Sequence, residues 1–494
     1  MGHEVIQSAV NQLRNLGSCA VQHKCAGFAK TFFPGLKYDT ISGITAHQPK
    51  ETEPMEDLDI RPEQMAIEHL GPARIDNPTF KASACCFVDE ADRVLYEDVI
   101  DHRTSSETTL VSQVSMERAG PREKIYFDPS KTRAGIVTCG GLCPGINDVI
   151  RAVTMALSSI YGVRRIIGFR YGYEGFIARF GHEIMELDSD IVDGWQETGG
   201  TKLGSSRGPQ QVDEIVDCLE RMGIHILFVV GGDGTLRGGA DIHDEIMRRN
   251  LRIGVIGIPK TIDNDLMFID ESFGFQTAYE AAVQSLICAH IEAKGAYNGV
   301  GLVKLMGRHS GFIACSAALA MSDVNFVLIP EVPFSLDGDN GFLAALHRRL
   351  EARHHAVVVV AEGAGQELMD AASGTDASGN RKLQDVGVFL RDAIAAYLQQ
   401  RAVSHTVKYI DPSYIIRSVP ANAADGVYCL QLGHDAVHAA MAGKTNLVVG
   451  RWHGLNVHIP IRVATMRRKV IDPRRPLWRS VLESTGQNKW FNPR

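Results

Sequence analysis

The sequence lacks the features that mark nucleic-acid-binding, membrane and secreted proteins. Its 494 residues carry 51 basic and 58 acidic side chains, a formal net charge of -7, so no basic excess attracts nucleic acid or an anionic membrane. No apolar run approaches the roughly 18 to 20 residues of a membrane span, and no apolar signal-peptide core is present. The ten cysteines lack the paired CxxC spacing of a structural zinc site. We therefore expect a cytoplasmic protein with reduced thiols.

Apolar runs followed by turns recur along the chain, which contains 48 glycines. The run at residues 134–138 precedes a cluster of glycines and then an apolar-periodic stretch from Asn147 to Ile160. This pattern is typical of a buried strand, a tight turn and a helix. Its repetition predicts an α/β fold with a parallel sheet, helices on both faces and ligands at the carboxyl ends of the strands. Further strand runs lie at residues 224–230, 251–257, 297–306 and 356–361.

Three glycine-rich loops are suited to bind phosphate, although each is ambiguous alone. Loop 1, residues 138–147, places three glycines where a strand meets a helix N-terminus, which favours an anion or serves plain packing. Loop 2, residues 231–235, adds Asp233, which can hold Mg²⁺ or satisfy turn amides. Loop 3, residues 199–209, carries Arg207, whose guanidinium suits a transferring phosphoryl group but can equally be a solvated surface group.

Two carboxylates follow the strand run that ends at Pro259. Asp263 and Asp265 are two residues apart, so in an extended backbone they point to the same side. One can take a proton from an attacking hydroxyl while the other helps to bind a metal, and Lys260 can offset phosphate charge. Solvated turn residues are the alternative, but the neighbouring glycine loops favour chemistry here.

These loops, in this order, resemble the ATP- and pyrophosphate-dependent phosphofructokinase family over roughly residues 135–460. Within the family, the chain is most similar to the long-chain ATP-using branch of plants and trypanosomatids, which also has an N-terminal extension. The resemblance implies two Rossmann-like parallel-sheet lobes. The motifs that carry it are GGLCPGIN, GGTKLGSSRGPQ, GGDGT, PKTIDNDL, KLMGRHSGF and KYIDPSYIIR.

The same resemblance implies a reaction, the transfer of the γ-phosphoryl group of Mg-ATP to the 1-hydroxyl of fructose 6-phosphate in glycolysis. Asp263 matches the general base, and Thr261 would hydrogen-bond at the reacting centre. Arg207 matches the arginine that stabilises the transferred phosphoryl charge. Lys260 is expected to be a fourth catalytic residue, which offsets the negative charge of the phosphates. The implied cofactor is Mg²⁺, associated with the carboxylates of Asp233 and Asp265.

The resemblance also assigns residues to the two substrates. Tyr173 matches an aromatic residue near the adenine, and Lys408 stands where bacterial members have arginine. The nucleotide set is Gly141, Tyr173, Arg207, Gly232, Asp233, Gly234 and Thr235. The sugar-phosphate set is Thr261, Asp263, Asp265, Met306, Gly307, Arg308, Glu362, Lys408, Tyr414 and Arg417, of which Tyr414 and Arg417 match positions that hold the 6-phosphate.

The phosphoryl donor is the point on which two residues disagree. Pyrophosphate users carry a bulkier acidic residue at the position of Gly234, so glycine leaves space for ATP. Lys260 is typical of pyrophosphate users, although a lysine can serve either donor. We expect ATP, with a pyrophosphate-dependent enzyme as the first alternative and a catalytically silent, sugar-phosphate-binding regulatory subunit as the second. Other GGDGT kinases, such as NAD or lipid kinases, lack the MGR and KYIDPSYIIR elements.

The expected organisation has four parts. Residues 1–125 form an N-terminal extension, residues 126–270 a nucleotide-binding lobe with return segments from the C-terminal part, residues 271–460 a sugar-phosphate-binding lobe, and residues 461–494 a tail. The resemblance implies a homotetramer, an allosteric nucleotide effector, and no nucleic-acid or membrane partner. It leaves an organellar or glycosomal location open. Bacterial members present an arginine to a neighbouring subunit where this chain has Tyr297, Asn298 and Gly299, which puts that contact in question.

Overall fold

The computed structural model of the protein describes residues 60–81, 87–97, 114–370, 374 and 382–487. All of them belong to one structural unit that begins at Asp59. Most of the predicted N-terminal extension lies outside the described residues. Six cysteines fall within the described part, and all six are free thiols.

Strands and helices alternate through most of the described chain. The strands are β1 Glu68–His69, β2 Ile75–Asp76, β3 Arg93–Leu95, β4 Ser115–Arg118, β5 Lys124–Ile125, β6 Arg133–Thr138, β7 Arg165–Phe169, β8 Ile184–Leu187, β9 Ile226–Gly231, β10 Gly254–Pro259, β11 Gly299–Leu305, β12 Phe326–Leu328, β13 His355–Ala361, β14 Thr406–Ile410, β15 Lys444–Thr445, β16 Leu447–Trp452 and β17 Leu455–Pro460. The helices are α1 Ile146–Met155, α2 Val212–Arg221, α3 Asp233–Arg248, α4 Phe275–Lys294, α5 Phe312–Met321, α6 Phe342–Arg353, α7 Val386–Gln400, α8 Ala423–Met441, α9 Ile461–Ala464 and α10 Pro476–Thr485.

The larger sheet joins nine of the described strands in the order β3-β4-β17-β16-β10-β9-β6-β7-β8. Its centre, from β16 to β7, is parallel, whereas β8 at one edge and β17, β4 and β3 at the other pair antiparallel. Strands β16 and β17 are joined by His453 and Gly454, both with positive φ, which suits a two-residue hairpin turn. The predicted α/β fold is confirmed, and the sheet is mixed at its edges because a hairpin makes its two strands antiparallel.

The smaller sheet is parallel throughout the described chain, in the order β12-β13-β11-β14. Its central strands are continuous apolar runs, and residues 356–361 are fully buried. Such runs are expected where helices cover both faces of a sheet. The strand runs seen in the sequence therefore correspond to the buried centres of two sheets.

The order of strands decides where loops meet. Strands β6, β9 and β10 are neighbours, with Thr138 opposite Val230 and Gly231 opposite Pro259. Because parallel strands end at the same edge, the loops that follow them are adjacent in space. In the smaller sheet, Leu305 lies opposite Ala361.

Within the part of the chain that the structure describes, we find no helix with the length and apolar character needed to cross a bilayer.

Candidate active site

A pocket of about 610 Å³ lies where the loops after β6, β9 and β10 converge. Loop 3 joins them, because the amide of Gly140 donates to the carbonyl of Ser206 at 3.0 Å and Ser205 Oγ donates to the carbonyl of Gly140 at 2.6 Å. At the end of loop 1, Gly145 has a φ of 91° and starts helix α1, a conformation that favours glycine. The pocket therefore contains parts of all four loops that the sequence singled out.

Three cationic groups meet at Gly140 and Gly141. A side chain at Gly141 would lie 3.3 Å from Arg207 NH2 and 3.5 Å from Arg417 NH1, so both guanidinium groups pass close to its backbone. Lys260 Nζ donates to the carbonyl of Gly141 at 2.6 Å. Burial lowers the pKa of Lys260, and the charges of Arg207 and Arg417 lower it further. Among the described residues, neither arginine is paired with a carboxylate, so the cluster can accept a phosphate.

Loop 2 forms the start of helix α3, with Gly232 as the N-cap and Asp233 as the first helical residue. A helix N-terminus presents free amides and a partial positive charge toward an anion. The hydroxyl of Tyr173 donates to the carbonyl of Thr235 at 2.7 Å and so supports this first turn. A side chain added at Gly234 would meet no atom within 4 Å. Loop 2 thus leaves open space at Gly234, the position at which the sequence distinguishes ATP from pyrophosphate as the phosphoryl donor.

Asp265 is buried and Asp263 is half-buried with its Oδ1 shielded from solvent, and the surroundings of the two carboxylates differ. Asp265 Oδ1 accepts a hydrogen bond from Thr261 Oγ1 at 2.9 Å. Asp263 Oδ1 is buried without a hydrogen-bond partner among the described residues. Burial raises the pKa of Asp263 well above that of an ordinary aspartic acid, and the charges of Asp265 and Glu362 raise it further. A buried carboxyl with a raised pKa and a free oxygen has the character of a general base.

Asp233 and Asp265 offer oxygen ligands of the kind that Mg²⁺ prefers. Both line the pocket, and their charges interact, since burial and then the charge of Asp265 raise the pKa of Asp233 while Arg237 and Arg468 lower it. Asp233 and Asp265 would therefore supply oxygen donors of the kind that fits a hard divalent cation.

The sugar side of the predicted site follows the ends of β11 and β13. Met306 lines the pocket, and Ser310 Oγ donates to the carbonyl of Asp263 at 3.0 Å. Gly307, Arg308 and Glu362 do not line the pocket, yet the charges of Glu362 and Arg308 act on Asp263. Burial raises the pKa of Glu362, and the charge of Arg308 lowers it.

Two predicted phosphate ligands are not brought into this pocket. Lys408 lies on β14 with its Nζ 3.8 Å from a carboxylate oxygen of Glu292. Tyr414 is 75% exposed, and the guanidinium of Arg417 stands 4.8 Å from its ring. Arg417 alone of these three lines the pocket. Their roles at the 6-phosphate stay predictions.

The sequence reasoning missed two arginines in the pocket. Arg237 NH2 lies 3.0 Å from Asp233 Oδ1, one helical turn along α3. Arg468 comes from the predicted C-terminal tail and approaches both Asp233 and Asp265. The i,i+4 spacing of Asp233 and Arg237 was available in the sequence. No local pattern places Arg468 there.

Comparison with known proteins agrees with the motifs. Residues 133–440 match the family model described as phosphofructokinase. The chain is 50% identical over 432 residues to the ATP-dependent 6-phosphofructokinase of Borreliella burgdorferi. The aligned region covers 85% of this chain and 96% of that protein. It is 46% identical over 428 residues to the ATP-dependent 6-phosphofructokinase of Trypanosoma brucei brucei, over 86% of this chain and 87% of that one. A solved pyrophosphate-dependent phosphofructokinase from Marinobacter aquaeolei shares the fold, with a TM-score of 0.59 and 21% identity over 73% of this chain and 93% of that one.

Proposed function

The chain belongs to the phosphofructokinase family, and from this we propose that it transfers the γ-phosphoryl group of Mg-ATP to the 1-hydroxyl of D-fructose 6-phosphate. The products are fructose 1,6-bisphosphate and ADP, and the reaction is a step of glycolysis. The observation that carries the proposal is the buried, unpaired Oδ1 of Asp263 in a pocket lined by phosphate-binding loops. An unpaired carboxylate of this kind favours catalysis over a sugar-phosphate-binding regulatory subunit.

Asp263 takes the proton from the attacking hydroxyl. The raised pKa makes the carboxylate a better base, since a proton acceptor works best when its pKa lies near the working pH. Arg207, whose guanidinium lies close to Gly141, stabilises the charge that spreads over the phosphoryl oxygens in the transition state. Thr261 fixes Asp265 through its 2.9 Å hydrogen bond and so orders the loop that carries the base.

Asp233 and Asp265 would hold the Mg²⁺ cofactor. When bound, the cation supplies Lewis-acid stabilisation of the phosphate oxygens. The chain itself provides the carboxylates and the helix N-terminus beside them.

ATP is the proposed donor because of the space at Gly234. Pyrophosphate is the second candidate, favoured by the presence of Lys260. The contact of Lys260 Nζ with the carbonyl of Gly141 gives this lysine a second task, since it ties loop 1 to the carboxylate loop whichever donor is used.

The remaining parts of the proposal concern organisation. We assign residues 126–270, with return segments from the C-terminal part, to nucleotide binding and residues 271–460 to sugar-phosphate binding. The homotetramer and the nucleotide effector that the resemblance implies belong to the same proposal. The protein acts in the cytoplasm.

A coupled assay of the purified chain tests the reaction. Fructose 6-phosphate should be phosphorylated with Mg-ATP, should react far more slowly with pyrophosphate, and should respond to AMP if a nucleotide effector acts. Turnover with pyrophosphate but not with Mg-ATP would reverse the donor. Binding of fructose 6-phosphate without turnover of either donor would support the regulatory-subunit alternative.

A further inference from the structure

The guanidinium of Arg468 stands between the two carboxylates assigned to the metal. Arg468 NH2 lies 3.8 Å from Asp233 Oδ2, and Arg468 NH1 lies 3.6 Å from Asp265 Oδ2. These carboxylates come from the loops after β9 and β10, more than 200 residues earlier in the chain. One arginine therefore bridges the two acidic side chains of the site.

The backbone that carries Arg468 is fixed to the carboxylate loop. Arg468 pairs with Leu266 in an isolated antiparallel bridge, and the amide of Lys469 donates to the carbonyl of Asp265 at 2.8 Å. Lys469 Nζ donates to Asn264 Oδ1 at 3.0 Å and to the carbonyls of Ile269 at 2.6 Å and Asp270 at 2.9 Å. Because the backbone is held so closely, any movement of the guanidinium must come from its side-chain torsions.

The same segment is also tied to the sugar side of the site. Glu331 Oε1 accepts hydrogen bonds from the amides of Gly311, at 3.0 Å, and Ile471, at 2.9 Å. Gly311 precedes helix α5, which follows the MGR element. Arg468 is therefore built into the site by contacts on both of its sides.

We propose that Arg468 is a positioning residue that holds Asp233 and Asp265 together and competes with a free divalent cation for them, so that the metal enters as its nucleotide complex. The inference rests on the metal-dependent transfer proposed above. Two carboxylates, Asp233 and Asp265, face two guanidinium groups, Arg237 and Arg468, and their charges sum to zero. A bare divalent cation must displace or face a guanidinium, whereas a nucleotide-bound cation brings phosphate charge that the displaced guanidinium can meet.

The test measures binding of Mn²⁺ alone, by the loss of the electron paramagnetic resonance signal of the free ion, in the absence of nucleotide. Arg468→Gln should bind Mn²⁺ at least about tenfold more tightly than the wild type, because one positive charge near 4 Å is removed. Arg468→Lys keeps the charge and should bind Mn²⁺ nearly as weakly as the wild type. In the double variant Arg468→Gln/Asp265→Asn, the gain should disappear.

Arg479→Gln is the matched control. Arg479 lies eleven residues later, pairs with Glu483 at the surface, and its loss changes the net charge equally, so the Mn²⁺ affinity of this variant should equal that of the wild type. Equal affinities for the wild type and Arg468→Gln would overturn the inference, as would an equal gain in Arg468→Lys, which would indicate lost packing. The assay contains no nucleotide or sugar, so its failure is distinct from failure of the proposed reaction.

Discussion

Asp263 is the side chain on which the proposed reaction depends most. Asp263→Asn keeps the shape of the side chain but removes the proton acceptor, so kcat should fall by at least about a hundredfold. Fructose 6-phosphate should bind with nearly unchanged affinity, measured by calorimetry without nucleotide. Asp244→Asn, at a surface carboxylate paired with Arg462, is the control and should retain wild-type turnover. Parallel losses of binding and kcat in Asp263→Asn would indicate a structural role instead.

Gly234 is the residue through which the donor can be changed. The space beside it is open, and an acidic residue near a helix N-terminus is favourable, so Gly234→Asp should fold normally. The new carboxylate would occupy space needed by ATP and repel its phosphates, raising the KM for Mg-ATP by about tenfold or more. Steady-state kinetics with both donors provide the measurement.

Gly234→Ala is the control for Gly234→Asp, because it adds a smaller side chain at the same position. A methyl group carries no charge and should raise the KM for Mg-ATP much less than the aspartate does. An unchanged KM in Gly234→Asp would contradict the assignment of this space to the nucleotide.

At the scale of elements, one carboxylate joins the N-termini of helices α4 and α8. Asp425 lies in the first turn of α8, and its Oδ1 accepts from the amide of Gly274 at 2.9 Å. Its Oδ2 accepts from the amide of Thr277 at 2.8 Å and from Thr277 Oγ1 at 2.6 Å. The side chain therefore satisfies amides at the start of α4, which would otherwise be buried without partners.

Removal of this contact should destabilise the protein. We expect Asp425→Ala to lower the free energy of unfolding by about 2 to 3 kcal/mol, because buried donors lose their acceptor. Urea unfolding followed by circular dichroism gives the value. Asn422→Ala removes the cap of α8, in which the Asn422 side chain accepts from the amide of Asp425 at 2.9 Å, together with an exposed hydrogen bond to Glu280, and should cost about 1 kcal/mol. Equal losses in the two variants would refute the joint role of Asp425.

At the scale of the whole molecule, a buried cluster of charges centred on Glu117 joins segments that are distant in sequence. Glu117 Oε1 lies 2.9 Å from Arg122 NH2, 2.9 Å from Lys444 Nζ and 2.7 Å from His458 Nδ1. Lys444 also meets Glu90 at 2.6 Å. Burial by itself would raise the pKa of Glu117, but the bonds to His458 and Lys444 outweigh it and hold this pKa well below the usual range.

The sign of the shift gives a pH dependence. Because the pKa of Glu117 is lower in the folded protein than in the unfolded chain, the ionised carboxylate stabilises the fold above pH 4.5, the ordinary pKa of a glutamate. This stabilisation declines as the pH falls further, because the unfolded state then binds the proton. Glu117→Gln should lower the free energy of unfolding at pH 7 by about 3 kcal/mol or more, since it removes the buried carboxylate that Arg122 and Lys444 share and leaves them the exposed carboxylate of Glu90. The difference from the wild type should shrink between pH 4.5 and pH 3.

Guanidinium chloride unfolding at several pH values measures this difference. Glu123→Gln, at an exposed position nearby, should change stability little at any pH. A difference between Glu117→Gln and the wild type that does not vary with pH would contradict the electrostatic origin of the effect.

The sequence by itself determined the strands and the loops of the site. Buried strands in a covered sheet are apolar throughout, so β6, β9, β10 and β13 were visible as runs, with boundaries within a few residues. The glycines and acids of the loops are local patterns too, and they predicted Asp233, Asp263 and Arg207, all of which line one pocket.

Only the tertiary structure decided which distant residues meet. Arg468 reaches Asp233 and Asp265, Lys444 reaches Glu117, and Tyr414 stays outside the pocket while Arg417 lines it. Periodicity records which face of an element is buried, over a few neighbouring residues. A contact between residues hundreds of positions apart depends on strand order and packing, which a local sequence pattern does not record. The position of the Arg468 guanidinium between the two carboxylates could therefore be found only in the folded chain.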